Sequence, residues 1–135
     1  MYNNILVAIA PDHGEDQTKA LDVAQTLASE GATVTAVTAI EPIATYIAAS
    51  IPEGFEKAAG EEALKGLRQL IGDREGVDAR VTYASAAGAI LDLSKELEAD
   101  CIVLASHKPG WGHILLGSTA ARVVRHARCS VHVIR

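Results

Sequence analysis

Residues Ser106-His107-Lys108-Pro109-Gly110-Trp111-Gly112-His113-Ile114-Leu115-Leu116-Gly117-Ser118-Thr119 bring together the groups that can hold an anion. The apolar run Cys101–Ala105 before them reads as a strand, and a helix is predicted to begin near Ser118. Glycines let a backbone turn tightly and approach a ligand with no Cβ in the way. A helix start adds N–H groups without intrahelical acceptors and a partial positive charge. Strand, glycine loop and helix start in this order suit a phosphate, which points to a nucleotide. The spacing is neither a Walker loop, since no Gly-Lys-Ser/Thr follows, nor the dinucleotide fingerprint after the first strand.

Each of these residues also has a plainer reading. Gly117, Ser118 and Thr119 can simply start a helix with Ser118 as its cap. Gly110 and Gly112 can be ordinary loop residues beside Pro109. His107 can contact phosphate or make a structural hydrogen bond, and Lys108 can contact phosphate or stay solvated. Trp111 can pack on a helix, shield a ligand or meet a partner. Asp12, Glu15 and Asp16 are within sequence reach of a magnesium ion, but acids also favour a helix start. His13, His126 and His132 lack ligand spacing, so no protein-held metal is assigned. No nucleophile has a recognisable base and no carboxylates pair, so no catalytic residue is assigned and the chain is not expected to be an enzyme.

Positioning these groups falls to five β-rich runs: Asn4–Ile9, Thr33–Ala39, Ala79–Tyr83, Cys101–Ala105 and Ser130–Ile134. The first, second and fourth are apolar on both faces, as in a parallel sheet covered on both sides. Four helical patterns alternate with them. Ala20, Leu21, Ala24, Leu27 and Ala28 mark the first, which Gly31 is expected to stop. Leu64, Leu67 and Ile71 mark the second, from about Glu53 to Gly72. Ile90, Leu91, Leu93, Ser94 and Leu97 mark the third. The fourth follows Ser118, with Ala120, Ala121, Val123, Val124 and Ala127 expected inward and Arg122, Arg125, His126 and Arg128 outward or at its end. The segment Glu41–Phe55, with Pro42 and Pro52, is the one long connection, either a lid or a surface loop. The prediction is an α/β fold: a three-layer α/β/α sandwich around a five-stranded, mostly parallel, doubly wound sheet of order 3-2-1-4-5. In that order strands 1 and 4 are neighbours whose connections leave toward opposite faces, and the crevice at their carboxyl ends is where such sheets bind ligands.

At 135 residues the chain has room for a single domain spanning 1–135. Hydrophobic residues make up 49%, with only five aromatics, so the core must consist of Ala, Val, Ile and Leu. A net charge of −5 argues against a nucleic-acid partner. Cys101 and Cys129 have no metal-ligand spacing and read as small core residues, with a disulfide left open. Met1-Tyr2-Asn3-Asn4 runs straight into an apolar segment with no basic start or cleavage site, and no run approaches membrane-helix length. A cytoplasmic location is expected.

Ile5-Leu6-Val7-Ala8-Ile9, Leu93 through Ser106, and Leu115 through Arg135 resemble the universal stress protein family, over nearly the whole chain and most specifically in its C-terminal third. Ala105-Ser106-His107-Lys108-Pro109 is similar to the small stand-alone members that bind ATP. The resemblance implies a flavodoxin-like (Rossmann-like) sheet and a homodimer formed by antiparallel pairing of the last strand, Ser130–Ile134. It also implies an adenine-nucleotide site, ATP with or without Mg2+, in a stress-response regulator. In some relatives the protein target is a membrane transporter.

Two departures stand out. ATP-binding members carry glycine, two residues, glycine, nine residues, then glycine with serine or threonine; here Ala105 takes the first glycine position, the second is Lys108 or is displaced onto Gly110, and the loop is one residue shorter. Gly117-Ser118 matches its end. Those members also place an aspartate after strand 1, where this chain has Ala10, followed by Pro11-Asp12. Weakened binding is the expectation. The implied site takes in Ala8, Ala10, Pro11, Asp12, Ala39, Leu104, Ala105, Ser106, His107, Lys108, Gly110, Gly112, Gly117, Ser118 and Thr119, with the base between the ends of strands 1, 2 and 4. The alternatives are a nucleotide-free dimeric scaffold or adaptor, and a weak ATPase or autophosphorylating protein with Ser118 or Thr119 as acceptor.

Overall fold

Short β-branched and apolar runs, each followed by a helical apolar stripe, build the alternation seen in the computed structural model, which describes residues 1–10, 17–42, 49–105 and 116–135. The elements are β1 (Tyr2–Ala8), α1 (Thr18–Leu27), β2 (Ala28–Ile40), α2 (Phe55–Ile71), β3 (Val77–Tyr83), α3 (Ala86–Glu96), β4 (Cys101–Ala105), α4 (Ser118–His126) and β5 (Ser130–Ile134). The sheet order is β3-β2-β1-β4-β5, the predicted 3-2-1-4-5, and all four pairings are parallel.

Period-two alternation along the strands divides the core into two clusters. Ile5, Val7 and Ile9 of the β1 segment meet Leu21 and Ala24 of α1 and Leu67 and Ile71 of α2 on one face. Leu6, Ile102 and Leu104 meet Ile90 and Leu93 of α3 and Ala120 and Val123 of α4 on the other. The helices after β1 and β4 therefore lie on opposite faces of the sheet. Each fully buried leucine, such as Leu6 or Leu21, contributes about 1.5–3 kcal/mol relative to exposure.

Several local expectations change. Gly31 does not stop α1: the helix ends at Leu27 and the chain enters β2 at Ala28. Gly31 instead sits in an irregularity of β2, where the register jumps from Tyr2↔Ala28 to Asn4↔Thr33. Its φ of 76° is the left-handed geometry that glycine adopts without a Cβ penalty. Gly72, by contrast, ends α2 as expected, donating its N–H to the Arg68 carbonyl at 2.9 Å with a φ of 60°. The start of α2 is Phe55 rather than Glu53, behind Gly54 at the N-cap. On α4 only Ala120 and Val123 are buried; Ala121 and Val124 face outward, because a nine-residue helix lying on a sheet buries a narrow stripe.

Both cysteines are free thiols. Cys101 lies opposite Ser130 in the β4–β5 register and belongs to the first core face, whereas Cys129 packs against the second. That alternation keeps the two side chains on opposite sides of the sheet. Among the described residues no helix is long and apolar enough to cross a membrane.

Candidate functional site at the carboxyl ends of β1 and β4

Among the described residues, the carboxyl ends of β1 and β4, with Ala39 of β2, carry apolar, uncharged side chains. Ala8 ends β1 and packs against the core cluster that holds Leu104 of β4 and Ala120 of α4. Ala8 also pairs in register with Val37 of β2. Ala39, two residues further along β2, shares the face of Val37 by strand alternation and is half-buried. Ala10 and Ala105 lie just beyond or at the strand ends and are exposed. Among the described residues these are four alanines and a leucine, and none of them carries a charge.

The ends of β1 and β2 are tied together one step past the ladder. The Ile9 N–H donates to the Val37 carbonyl at 2.9 Å. The hydroxyl of Thr38, 2% exposed, donates to the Ile9 carbonyl at 3.1 Å. A buried hydroxyl without a partner would cost about 1–3 kcal/mol, so this bond both satisfies Thr38 and holds the chain where it leaves β1. Thr38 was not among the predicted site residues. Its signal was present, however: with Thr35 it is one of two hydroxyls within the otherwise apolar Val34–Ile40 run.

Leu116 packs against the same cluster as Leu104 and Ala8, and so brings the start of α4 to the mouth. Gly117 is the N-cap, with φ −58° and ψ 154°, and Ser118 is the first helical residue rather than the cap. As a glycine, the N-cap has no side chain to cap the helix; its carbonyl accepts the Ala121 N–H at 2.8 Å. The first turn carries no acid. Its amides and the dipole of the helix therefore favour an anion. The extended backbone of Gly117 is open to any residue, so what its glycine supplies is space.

The structure thus brings together Ala8, Ala39, Leu104, Ala105, Gly117, Ser118 and Thr119, with Ala10 at the rim. Pro11, Asp12, Ser106, His107, Lys108, Gly110 and Gly112 lie outside the described residues, as do Glu15, Asp16 and Trp111. Among the described residues no cluster of three His, Cys, Asp or Glu could hold a metal ion. A depression of about 480 Å3 lies elsewhere, against Glu61, Leu64, Lys65, Arg68 and Gln69. All five belong to α2 and none comes from a strand end, so it lacks the convergent groups of a ligand site.

At the opposite end of the sheet both thiols are held protonated. Burial, then Cys129 and Asp100, pushes Cys101 from the usual 9.0 up to about 11. Burial and then Asp100 raise Cys129 as well. Neither is an activated nucleophile.

Comparison with known proteins agrees with this architecture. The family model described as "Universal stress protein family" matches residues 1–135. Universal stress protein G of Salmonella typhimurium is 34% identical over 85 residues, 60% of each chain. The aligned part thus spans about 60% of the length of the first curated relatives it matches. Universal stress protein A homolog 2 of Coxiella burnetii is 29% identical over 139 aligned residues, covering 99% of this chain and 95% of its own. Universal stress protein UspA from Lactobacillus plantarum superposes with a TM-score of 0.74 at 27% identity, covering 99% of this chain and 98% of that one. Two more distant structures share the fold and carry nucleotides. One is the Archaeoglobus fulgidus universal stress protein in complex with dAMP (TM-score 0.67, 20% identity, 99% and 98% covered). The other is an Arabidopsis thaliana family protein with AMP bound (TM-score 0.65, 18% identity, 98% and 90% covered). On the match of the family model along its full length, this chain belongs to the universal stress protein family.

Proposed function

We propose that the protein binds an adenine nucleotide, ATP with Mg2+ in its fullest form, and acts as a homodimeric stress-response regulator. The observation that carries this reading is the glycine-capped start of α4, which meets the β1–β4 crevice with no acid in its first turn. Phosphates would lie over the start of α4 at Ser118 and Thr119, with the base over Ala8 and Ala39 between the ends of β1, β2 and β4. The dAMP and AMP complexes of related folds support that ligand class. Magnesium would be held chiefly by the phosphates themselves. Regulation requires that the nucleotide bind one conformation or partner state more tightly than another.

Dimerisation is proposed through β5. Among the described residues it pairs only with β4 and its other edge is open, with Ser130 and His132 exposed and Val131 and Val133 half-buried. Catalysis is not part of the proposal; any hydrolysis or self-phosphorylation would be slow. A second reading, a nucleotide-free scaffold, is favoured by Ala10, which puts a methyl group where ATP-binding relatives carry an aspartate.

Calorimetry of ATP and AMP against nucleotide-stripped protein separates the two. Binding that Gly117→Val abolishes while the melting temperature holds supports the nucleotide reading. Valine is tolerated by the extended backbone at this position, so the loss would report blocked phosphate approach. Absence of heat at millimolar ligand favours the scaffold.

A further inference from the structure

The strand edge through which dimerisation is proposed carries a titratable side chain at its midpoint. β5 runs from Ser130 to Ile134, so His132 is its middle residue, and it is exposed. A two-fold axis that pairs a strand antiparallel with its own copy is isologous: if one residue faces a second, the second faces the first. The register that engages all of β5 therefore sets Ser130 against the partner's Ile134, Val131 against the partner's Val133 and His132 against the partner's His132. It also joins half-buried valines into an apolar pair on each side of the axis. Slipping the register in either direction leaves residues of the strand unpaired.

Residues directly opposite in an antiparallel ladder have Cβ atoms about 4.5–5.5 Å apart, and like charges so placed are destabilising. Little else charged shares the surroundings of His132. Val103 of β4 pairs beside it, and Ser130, Ile134 and Cys101 share its face. Of these only the Cys101 thiol titrates, and it stays protonated until about 11. α1, which covers β4 on this face, brings Lys19 and Asp22; both are exposed, and Asp22 pairs with Arg74. α4 packs on the other face, in the cluster of Val131 and Cys129, so Arg122, Arg125 and His126 belong to the far side of the sheet. Arg128 and Arg135 lie beyond the ends of β5, outside the paired span. Among the described residues His132 has no ion-pair partner.

We propose that the His132 pair makes the dimer pH-sensitive: neutral imidazoles pack across the two-fold axis, and their protonation drives the two copies apart. The inference rests on the β5 dimer of the proposed function. Histidine is the side chain that changes charge between about pH 5 and pH 8. Pairing opposes the second charge, so the dimer binds fewer protons than two separate chains, and association weakens as pH falls. Net charge works the other way. The chain carries −5 at pH 7 and has a pI of about 5.5, so mild acidification removes overall repulsion between copies. Weakening on acidification therefore requires a local pair of like charges. Acidity then becomes a signal that the regulator reads through its own assembly.

Sedimentation equilibrium of the full chain over a dilution series, at about pH 7.5 and about pH 5.5, tests this on either side of the histidine range. Expected is a dimer Kd weaker by about threefold or more at the acid pH, the size of one like-charged cross-strand pair. His132→Gln should dimerise without that weakening, and His132→Arg should associate poorly at both pH values. The position is exposed, so both variants should melt as the parent does. A parent dimer whose Kd is flat or tightens on acidification would overturn the pH switch and leave the β5 dimer standing. So would an acid weakening that His132→Gln retains. A parent that stays monomeric at both pH values and every concentration would overturn the dimer and the switch together.

Discussion

Asn4 and Asp100 clasp one another across the amino end of the sheet. The Asp100 N–H donates to the Asn4 carbonyl at 2.9 Å, and the Asp100 carboxylate accepts the Asn4 N–H at 3.0 Å. The same carboxylate accepts the Asn3 N–H at 2.8 Å, while the Asn4 side-chain amide donates to the Leu97 carbonyl. These bonds sit immediately before the Ile5↔Cys101 pair and set the β1–β4 register. Every later pair follows from it, including the placement of Ala8 beside Leu104 at the mouth. Asp100→Ala leaves the half-buried Asn4 amide and the exposed Asn3 amide without their acceptor and should cost about 1–3 kcal/mol. Denaturant unfolding checks the loss; a change within error of zero would show that water replaces the carboxylate.

Gly60 of α2 accommodates the Tyr83 ring, since an added Cβ would overlap the phenol hydroxyl. Glycine to alanine inside a helix ordinarily stabilises by about 1 kcal/mol. In the parent chain Gly60→Ala should gain less than that, because Tyr83 must swing away. In a Tyr83→Ala background the full gain should return. A double-mutant cycle measures the difference, and equal effects in the two backgrounds would refute the contact.

Alkaline pH should destabilise the protein through Cys101. Its folded-state pKa, about 11, lies above the ordinary 9.0, so the folded state favours the protonated thiol. That contribution is fully present below pH 9 and is lost as pH rises towards 11. Cys101→Ala removes the titrating group, so its stability should fall less steeply than the parent's across this window. Parallel curves would locate the alkaline loss elsewhere. In the native state Cys101 should also resist thiol reagents at neutral pH, since it is buried and protonated.

Ala10→Asp should strengthen nucleotide binding. The position is exposed at the end of β1, so a carboxylate can be added without burying charge. One regained hydrogen-bonded contact corresponds to about 1–3 kcal/mol, roughly one or two powers of ten in Kd. Calorimetry with ATP provides the comparison; unchanged affinity would mean that the nucleotide does not approach Ala10.

Local chemistry made much of this protein legible before any coordinates. Strand composition and helical spacing predicted the element order, the exact spans of β4 and β5, and the end of α2 at Gly72. The alternation of five strands with four helices, read with right-handed crossovers, also predicted the 3-2-1-4-5 sheet and hence the crevice. The alanines at the strand ends and Gly117 ahead of α4 were visible as residue types, and the absence of charge among them followed directly.

What stayed hidden depends on neighbours distant in the chain. Gly31 reads as a helix stop because glycine signals a break, but only its pairing against Tyr2–Asn4 makes it part of an irregular strand. Ala121 and Val124 read as core because they are apolar, yet the sheet beneath α4 buries only Ala120 and Val123. Cys101 and Cys129 are separated by strand alternation, and Thr38 meets Ile9 only after β1 and β2 pair. Sequence by itself determined the elements and their order, because backbone preference and apolar periodicity act over a few residues. Tertiary structure alone decided register, facing and partners, because these follow from which surfaces exclude water together.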